Sequence, residues 1–215
     1  MGPVPFGRLM SVSKLETCHP ESALFHEGKT PEFLFVVVEG LIELFSEHGH
    51  DDCSFALLRP GSSFIIAAVI RGAAYLNSAR ALGFARVLAI PATDVRAAVE
   101  CDRPFAHSVE QALAADYRSI LKELKDRAFR PVSERLANWL LREMEPEGAG
   151  GRVILPFNRR KLAAHIGTTP ETLSRVFTTL SAHGVEGHGQ EIVLRDIAEL
   201  SRLAGPDPLI DDPTI

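Results

Sequence analysis

Cysteine is scarce in this chain of 215 residues: it occurs only at Cys18, Cys53 and Cys101. An odd number of cysteines so far apart excludes a disulfide framework and a Cys-Cys metal pair. We therefore expect the protein in a reducing compartment, the cytoplasm.

Long apolar runs are missing as well. The longest uninterrupted run is residues 64–70, whereas a membrane-spanning helix needs roughly 20 residues. The N-terminus, MGPVPFGRLM, lacks the charged start and long apolar core of a signal peptide. The sequence therefore predicts neither a membrane partner nor export.

An excess of positive charge is absent too, since the formal net charge is −5. Nucleic-acid binding favours positive charge, so this sum by itself argues against such a partner. The objection is weak for a chain of two domains, because only the contacting face must be basic. Cations cluster in the C-terminal third, at Arg159, Arg160, Lys161 and Arg175.

The first part of the chain has the pattern of short β-strands separated by turns. Short runs of β-type sequence occupy residues 34–38, 41–45, 54–58, 78–82 and 84–90. The polar residues 47–52 and the segment Arg59-Pro60-Gly61-Ser62 are predicted turns. Short strands at this spacing predict an all-β domain of the jelly-roll type, a β-roll.

A helical period begins after Pro104 and predicts one long helix over residues 105–128. Its apolar stripe consists of Val109, Leu113, Tyr117, Ile120 and Leu124, widened by Leu121. Two interpretations are open: a core helix lying across the β-domain, or a helix that also packs on its copy in a second subunit, as a coiled coil does. The second predicts a homodimer. The expected hinge is Phe129-Arg130-Pro131, because proline restricts the residue before it.

Two short helices joined by a tight turn are predicted beyond the hinge. Asn158 is the expected cap of a helix over residues 159–166, and Pro170 is suited to the first position of the next helix. With Gly167 in the turn between them, this is the helix-turn-helix arrangement.

Further elements complete a winged helix-turn-helix. A helix is expected at 133–144, a strand at 153–155 and a hairpin, the wing, at 184–194. Asp196 with Glu199 three residues later caps a last short helix. The chain is therefore predicted to be α+β, with four segments: a β-roll domain (1–104), a long helix and hinge (105–130), a winged helix-turn-helix (131–205) and a flexible tail (206–215).

The stretch at residues 168–177, TTPETLSRVF, carries the chemistry of a DNA-reading helix. Glu171, Ser174 and Arg175 fall at i, i+3 and i+4 and so share one helical face. Arginine can donate two parallel hydrogen bonds to guanine, and a carboxylate can accept one from cytosine. Two alternatives stay open: Glu171 forms a capping box with Thr168, and Arg175 forms an ion pair within the protein.

Other polar residues near this face are candidates for contacts with the phosphate backbone. They are Arg159, Arg160, Thr169 and His188. The alternative for each is a plain surface position.

With these elements the whole chain resembles the cyclic-AMP receptor protein/FNR (Crp/Fnr) family of bacterial transcription regulators. The most specific part is Glu171-Thr172-Leu173-Ser174-Arg175, which is similar to the Glu-x-x-Ser-Arg signature of the FNR branch. The receptor-protein branch usually has glycine where Ser174 stands. The resemblance implies a homodimeric regulator with a cyclic-nucleotide-binding-like domain, half-sites close to TTGAT in an inverted repeat, and RNA polymerase as a further partner.

The effector domain departs from the family pattern. Family members that bind cyclic nucleotides carry Gly-Glu shortly after a Pro-Gly turn, and later an arginine for the cyclic phosphate. The matching positions here are Ile65 and Ile66, beside Phe64, and Asn77, beside Ser78. Arg71 and Arg80 do not stand at the matching place. We therefore expect no binding of cyclic AMP, because a buried phosphate without its cation is costly.

Three alternatives remain for the signal. A pocket filled by its own side chains would need no cofactor, and we predict none. An apolar pocket around residues 64–70 would also suit haem, as in nitric oxide or carbon monoxide sensors of the family, with axial ligands from His19, His26, His48, His50 or Cys53. Oxidation of a cysteine is the third alternative. The iron–sulfur cluster of FNR is not expected, since it needs four cysteines.

Signs of catalysis are absent from the sequence. It has no Ser-His-Asp order, no glycine-rich loop for a phosphate and no His/Cys metal spacing. A cupin-like metalloenzyme would need a His-x-His pair, and the candidates His48 and His50 lie on a predicted turn. We therefore predict no enzyme and no metal site.

Overall fold

The computed structural model describes residues 2–48, 51–144 and 151–212. The chain divides into two compact units, residues 1–117 and 118–215. In the described part, no helix is both long and apolar enough to span a bilayer.

Two four-stranded antiparallel sheets form the N-terminal unit, in the orders β1-β8-β3-β6 and β2-β7-β4-β5. The strands are β1 (Lys14–Cys18), β2 (Ala23–Phe25), β3 (Phe33–Glu39), β4 (Ile42–His48), β5 (Asp51–Leu58), β6 (Ser63–Phe64), β7 (Ser78–Ala81) and β8 (Ala85–Pro91). Buried residues of both sheets share one core, which confirms the β-roll. The strands β4 and β5 extend further than predicted, so His48 ends a strand; residues 49 and 50 lie outside the described part.

The prediction that the N-terminal half is all-β is wrong, because this half also contains three helices. They are α1 (Pro3–Val12), α2 (Ile66–Arg71) and α3 (Ala92–Cys101). These helices cover the outer face of the sheet that contains β3 and β8. Leu34 and Ile90 belong to the outer cluster with the helices, whereas the neighbouring Phe35 and Ala89 belong to the inner core. Both strands are thus buried on two faces, which explains their continuous apolar runs.

The long helix α4 (Arg103–Phe129) is confirmed and begins two residues before the predicted start. Asp102 caps it, accepting a hydrogen bond from the Phe105 backbone N–H at 2.7 Å. Near its start, Val109 is buried in the outer cluster, and Leu113 packs against that cluster while remaining half-buried. This end of α4 therefore behaves as a core helix.

The C-terminal unit is a winged helix-turn-helix, as predicted. After the end of α4 it contains α5 (Val132–Glu143), β9 (Arg152–Ile154), α6 (Arg159–Ile166), α7 (Pro170–Ser181), β10 (Val185–His188), β11 (Glu191–Leu194), α8 (Ile197–Ala204) and α9 (Pro208–Asp211). The three strands pair in the order β10-β11-β9. Both predicted caps are confirmed: Asn158 accepts from the Lys161 N–H at 3.0 Å, and Asp196 accepts from the Glu199 N–H at 2.8 Å.

The structure corrects the prediction of a flexible tail. Residues 208–211 form the short helix α9, capped by the side chain of Asp207. Asp211 pairs with Arg130 at 2.6 Å, an ion pair between residues far apart in sequence that no local pattern reveals. Residues 213–215 lie outside the described part.

Candidate nucleic-acid interface

The turn between α6 and α7 is built by local hydrogen bonds. Gly167 ends α6 with φ of +72°, a backbone conformation that favours glycine. The Thr168 N–H donates to the Ala163 carbonyl at 2.9 Å. Thr169 is the cap of α7, and its hydroxyl accepts from the Thr172 N–H at 3.2 Å. The cap of α7 is therefore Thr169, and the alternative of a capping box between Thr168 and Glu171 is wrong.

Helix α7 has one buried and one exposed face. Leu173, Phe177 and Leu180 are buried. The predicted reading residues Glu171, Ser174 and Arg175 are exposed, and their spacing places them together on the other face. They are therefore available to an outside partner.

Thr178 extends this face and was missed by the sequence reasoning. It is exposed and lies seven positions after Glu171, the next step of the helical repeat. Its hydroxyl donates to the Ser174 carbonyl at 3.2 Å. The signal that would have found it is the continuation of the i, i+3, i+4 spacing to i+7.

Glu171 also takes part in the start of α7. Hydrogen bonds from its own backbone N–H and from the Thr169 hydroxyl, with the charge of Arg175, hold the pKa of the Glu171 carboxyl below its ordinary value. The carboxylate is therefore ionised at neutral pH. It is exposed and retains lone pairs that can accept a hydrogen bond from a base.

Arg159 is fixed between the two helices and the wing. Its Cζ lies 4.4 Å from the centroid of the Phe177 ring, a cation–π contact. A Cβ atom added to Gly187 of β10 would lie only 2.5 Å from Nη2 of Arg159. A cleft of about 380 Å³ opens here, and its lining includes Arg159, Ser174, Thr178 and Gly187.

Several arginines of the C-terminal unit are held in ion pairs, unlike the candidate DNA-contacting arginines. Arg152 pairs with Glu191 at 2.7 Å, and Arg195 pairs with Glu186 at 3.0 Å. Other arginines of the unit are paired too: Arg127, Arg130, Arg142 and Arg202. Within residues 118–144 and 151–212, Arg159, Arg160 and Arg175 make no ion pair with a carboxylate. Cations that are not held in an ion pair with a carboxylate remain available for phosphates or bases.

Thr169 and His188 are the remaining candidates for contacts with the phosphate backbone. Thr169 is exposed at the start of α7, where its hydroxyl also serves as the cap. The backbone of His188 ends β10, but its side chain lies outside the described part.

Aromatic rings fill the inside of the β-roll. Phe25 stacks on Tyr75 with 4.0 Å between ring centroids and on Phe35 with 5.8 Å. Phe64 stacks on Phe35 at 5.6 Å. All four residues are buried, so this part of the interior is occupied by the protein itself.

The residues predicted to line an effector pocket do not converge on one space. Phe64 belongs to the inner core, whereas Ile66 is buried in the outer cluster with α1 and α3. Ile65 packs against both, with φ of +61°. The Ser78 hydroxyl accepts from the Glu27 N–H at 3.0 Å, and Asn77 is half-buried.

The cation nearest in sequence to this region is already neutralised. Arg80 donates through Nε to Glu43 at 2.7 Å and lies over the Phe45 ring at 3.9 Å. Glu43 is 1% exposed, so the two charges form a buried pair. Arg71, the other candidate, is exposed at the end of α2.

The candidates for a haem ligand or a reactive thiol are scattered. His19 and His26 are exposed, and Cys53 is half-buried. Burial, followed by the charge of Glu16, raises the pKa of the Cys18 thiol, which disfavours a reactive thiolate. Within the described ranges, no three His, Cys, Asp or Glu residues lie close enough to hold a metal ion.

Two protein-family models match this chain. One is described as a cyclic nucleotide-binding domain and matches residues 15–102. The other is described as a Crp-like helix-turn-helix domain and matches residues 134–203. The two matches fall on the β-roll and on the winged helix-turn-helix.

Individual proteins are similar over different lengths. A cyclic AMP receptor protein of Thermus thermophilus is 30% identical over 183 residues, which cover 84% of this chain and 83% of the relative. The nitrogen fixation regulation protein FixK of Bradyrhizobium diazoefficiens is 40% identical over 75 residues, 34% of this chain and 31% of that protein. The structure of FixK2 from Bradyrhizobium japonicum is 22% identical and shares the fold, with a TM-score of 0.76 over 91% of this chain and 99% of the other.

Proposed function

Because this chain belongs to the Crp/Fnr family of transcription regulators, we propose that it acts as a homodimer that reads an inverted repeat of FNR-like TTGAT half-sites and is not controlled by cyclic AMP. The observation that supports this proposal most strongly is that Glu171, Ser174 and Arg175 are exposed on one face of α7. Such a regulator would act in the cytoplasm, on double-stranded DNA and with RNA polymerase.

The chemistry of the face supports base reading. Arg175 can donate two hydrogen bonds to guanine, and the ionised Glu171 can accept from the amino group of cytosine. Ser174 and Thr178 can contact the bases beside them. Arg159 and Arg160, which have no carboxylate partner within the described residues, are available to bind phosphates.

The exposed stripe of α4 supports the homodimer. Tyr117 is 64% exposed, Ile120 66% and Leu124 61%. Apolar residues on one face of a long helix are stabilised when they pack on a second copy, as in a coiled coil. A two-fold dimer would present two recognition helices about 34 Å apart, one turn of DNA.

Independence from cyclic AMP is supported by the β-roll. The family resemblance places glycine at position 65. The backbone there has φ of +61°, a conformation that favours glycine, although the residue is isoleucine. The side chain of Ile66, at the position of the ribose-binding glutamate, cannot accept a hydrogen bond. Arg80 cannot offer a free charge to a phosphate because Glu43 holds it.

The proposal is tested with two DNA duplexes of equal length and composition, one with the TTGAT inverted repeat and one scrambled. We expect the repeat to bind roughly a thousandfold more tightly, measured by fluorescence anisotropy at about 0.15 M salt. Equal affinity for the two duplexes would overturn the proposal.

A further inference from the structure

The segment of residues 206–212, which we call the strap, is tied to the end of α4. The Asp211 carboxylate accepts hydrogen bonds from Nη1 of Arg130 at 2.9 Å and from Nη2 at 2.6 Å. Lys122 in α4 donates to the Asp212 carbonyl at 2.5 Å. The strap therefore contacts both α4 and the hinge residue that follows it.

Arg130 depends on the strap because its side chain is only 5% exposed. Its other partners are Asp126 at 2.9 Å and the Gly205 carbonyl at 3.3 Å. A buried guanidinium is stable only when carboxylates and carbonyls satisfy its donors. Among the described residues, Arg130 without Asp211 would keep only the carboxylate of Asp126, in α4.

The backbone of Arg130 leads to the helix-turn-helix. Its carbonyl accepts from Nη1 of Arg135 at 2.8 Å. The same guanidinium donates from Nε to the Ile166 carbonyl at 3.0 Å and from Nη2 to the Gly167 carbonyl at 3.2 Å. Arg135 thus joins the hinge to the end of α6, where the helix dipole also favours a cation.

The end of α6 sets the start of the recognition helix. Gly167 is followed two residues later by Thr169, the cap of α7. The side chain of Arg127 also approaches this turn, since a Cβ added to Gly167 would lie 3.4 Å from its Nη1. Side chains from α4 and α5 therefore support the turn that orients α7.

We infer that the strap positions the recognition helix: Asp211 fixes Arg130, the Arg130 carbonyl anchors Arg135, and Arg135 holds the turn before α7. Asp211 is thus a positioning residue for DNA reading. This inference rests on the proposed function, because it concerns the same DNA-reading helix.

The first test is the Asp211→Asn variant, which keeps the shape of the side chain and removes its charge. We expect its affinity for the TTGAT duplex to fall roughly three- to thirty-fold, with affinity for the scrambled duplex unchanged, at a temperature where calorimetry shows both units folded. The control is Arg142→Gln, which removes only the more exposed contact to Asp211, at 3.2 Å. Equal losses on both duplexes, or equal effects of the two variants, would overturn the inference.

The second test asks whether Asp211 acts through Arg135. Arg135→Lys keeps the charge and removes the fork that reaches three carbonyls. We expect Asp211→Asn to weaken specific binding much less in the Arg135→Lys background than in the wild type, because residues on one route are not additive. Full additivity of the two effects would contradict this route.

Hydrogen exchange separates this inference from the proposed function. The Thr168 N–H donates to the Ala163 carbonyl at the end of α6, and the Leu173 N–H donates to the Thr169 carbonyl at the start of α7. Asp211→Asn should accelerate their exchange and leave the amides of the β9–β11 pair unchanged. If the wild type fails to prefer the TTGAT duplex, the proposed function is wrong. The exchange experiment still tests whether Asp211 supports the turn before α7. Unchanged exchange at the turn would overturn the inference.

Discussion

The guanidinium of Arg159 lies over the ring of Phe177, with 4.4 Å between Cζ and the ring centroid. Arg159 begins α6 and Phe177 lies in α7, so the contact joins the two helices of the helix-turn-helix. Gly187 of the wing approaches the same guanidinium. One cation is thus held where all three parts of the DNA-binding domain meet.

This arrangement predicts a role for Gly187. A methyl group there would lie 2.5 Å from Nη2 of Arg159, so Gly187→Ala should displace the cation. We expect weaker binding to both duplexes and a loss of about one unit from the slope of log affinity against log salt. In an Arg159→Ala background the same change should have no further effect. A further loss there would show that Gly187 acts by another route.

Arg175 is predicted to contribute sequence specificity, and Arg160 is predicted to contribute affinity for DNA of any sequence. Arg175→Ala should cost about 1–3 kcal/mol on the TTGAT duplex and little on the scrambled one, because a bidentate base contact discriminates between sequences. Arg160→Ala should weaken both duplexes alike and flatten the salt dependence. Titrations at several salt concentrations measure both effects. Parallel losses for Arg175→Ala would place that residue on the phosphate backbone instead.

The stripe on α4 is predicted to be the dimer seam. Ile120→Glu should lower the mass measured by sedimentation equilibrium from that of a dimer, twice 23.5 kDa, to that of a monomer, 23.5 kDa. The reason is that a buried charge without a partner opposes association. The control is Ser119→Glu, an exposed position of the same helix outside the stripe. A wild-type protein that sediments as a monomer would contradict the prediction.

Cyclic nucleotides are predicted not to switch the protein. Calorimetric titration with cyclic AMP and cyclic GMP should show no binding at micromolar concentrations, and neither should change the affinity for the TTGAT duplex. The physical reason is that Glu43 already neutralises Arg80 and that Asn77 carries no charge for the phosphate. Micromolar binding that also tightened DNA binding would refute it.

His165 is predicted to make the C-terminal unit sensitive to acid. Burial, followed by the charges of Arg127 and Arg142, lowers its pKa from 6.5 to about 4. The unfolded chain therefore binds the proton more readily, so stability is complete above pH 6.5 and declines as the pH falls towards 4. The full loss is about 3 kcal/mol. Calorimetry of His165→Leu should show a weaker pH dependence of stability over this range. The control is His107→Gln, at an exposed position, which should keep the pH dependence of the wild type. An unchanged slope in His165→Leu would contradict the prediction.

The sequence predicted the elements that depend on local chemistry. Asn158, Asp196 and the turn at Gly167 have short-range signatures, and they specified the helix-turn-helix correctly. The helices α1 and α3 were missed because the continuous apolar runs of β3 and β8 do not show what covers their outer face. The contacts of Gly187 with Arg159 and of Asp211 with Arg130 join residues distant in sequence, so only the fold brings them together.

Trp139 is the single tryptophan of the chain, and it lies in α5, 6.3 Å from Phe157 and 6.2 Å from His165 between ring centroids. Tyr75 and Tyr117, the two tyrosines, both belong to the N-terminal unit. Intrinsic fluorescence excited selectively at tryptophan therefore reports on the DNA-binding unit alone, and the tyrosine signal reports on the other. The native chain thus carries a separate optical label in each unit, so their unfolding can be followed independently without introducing a dye.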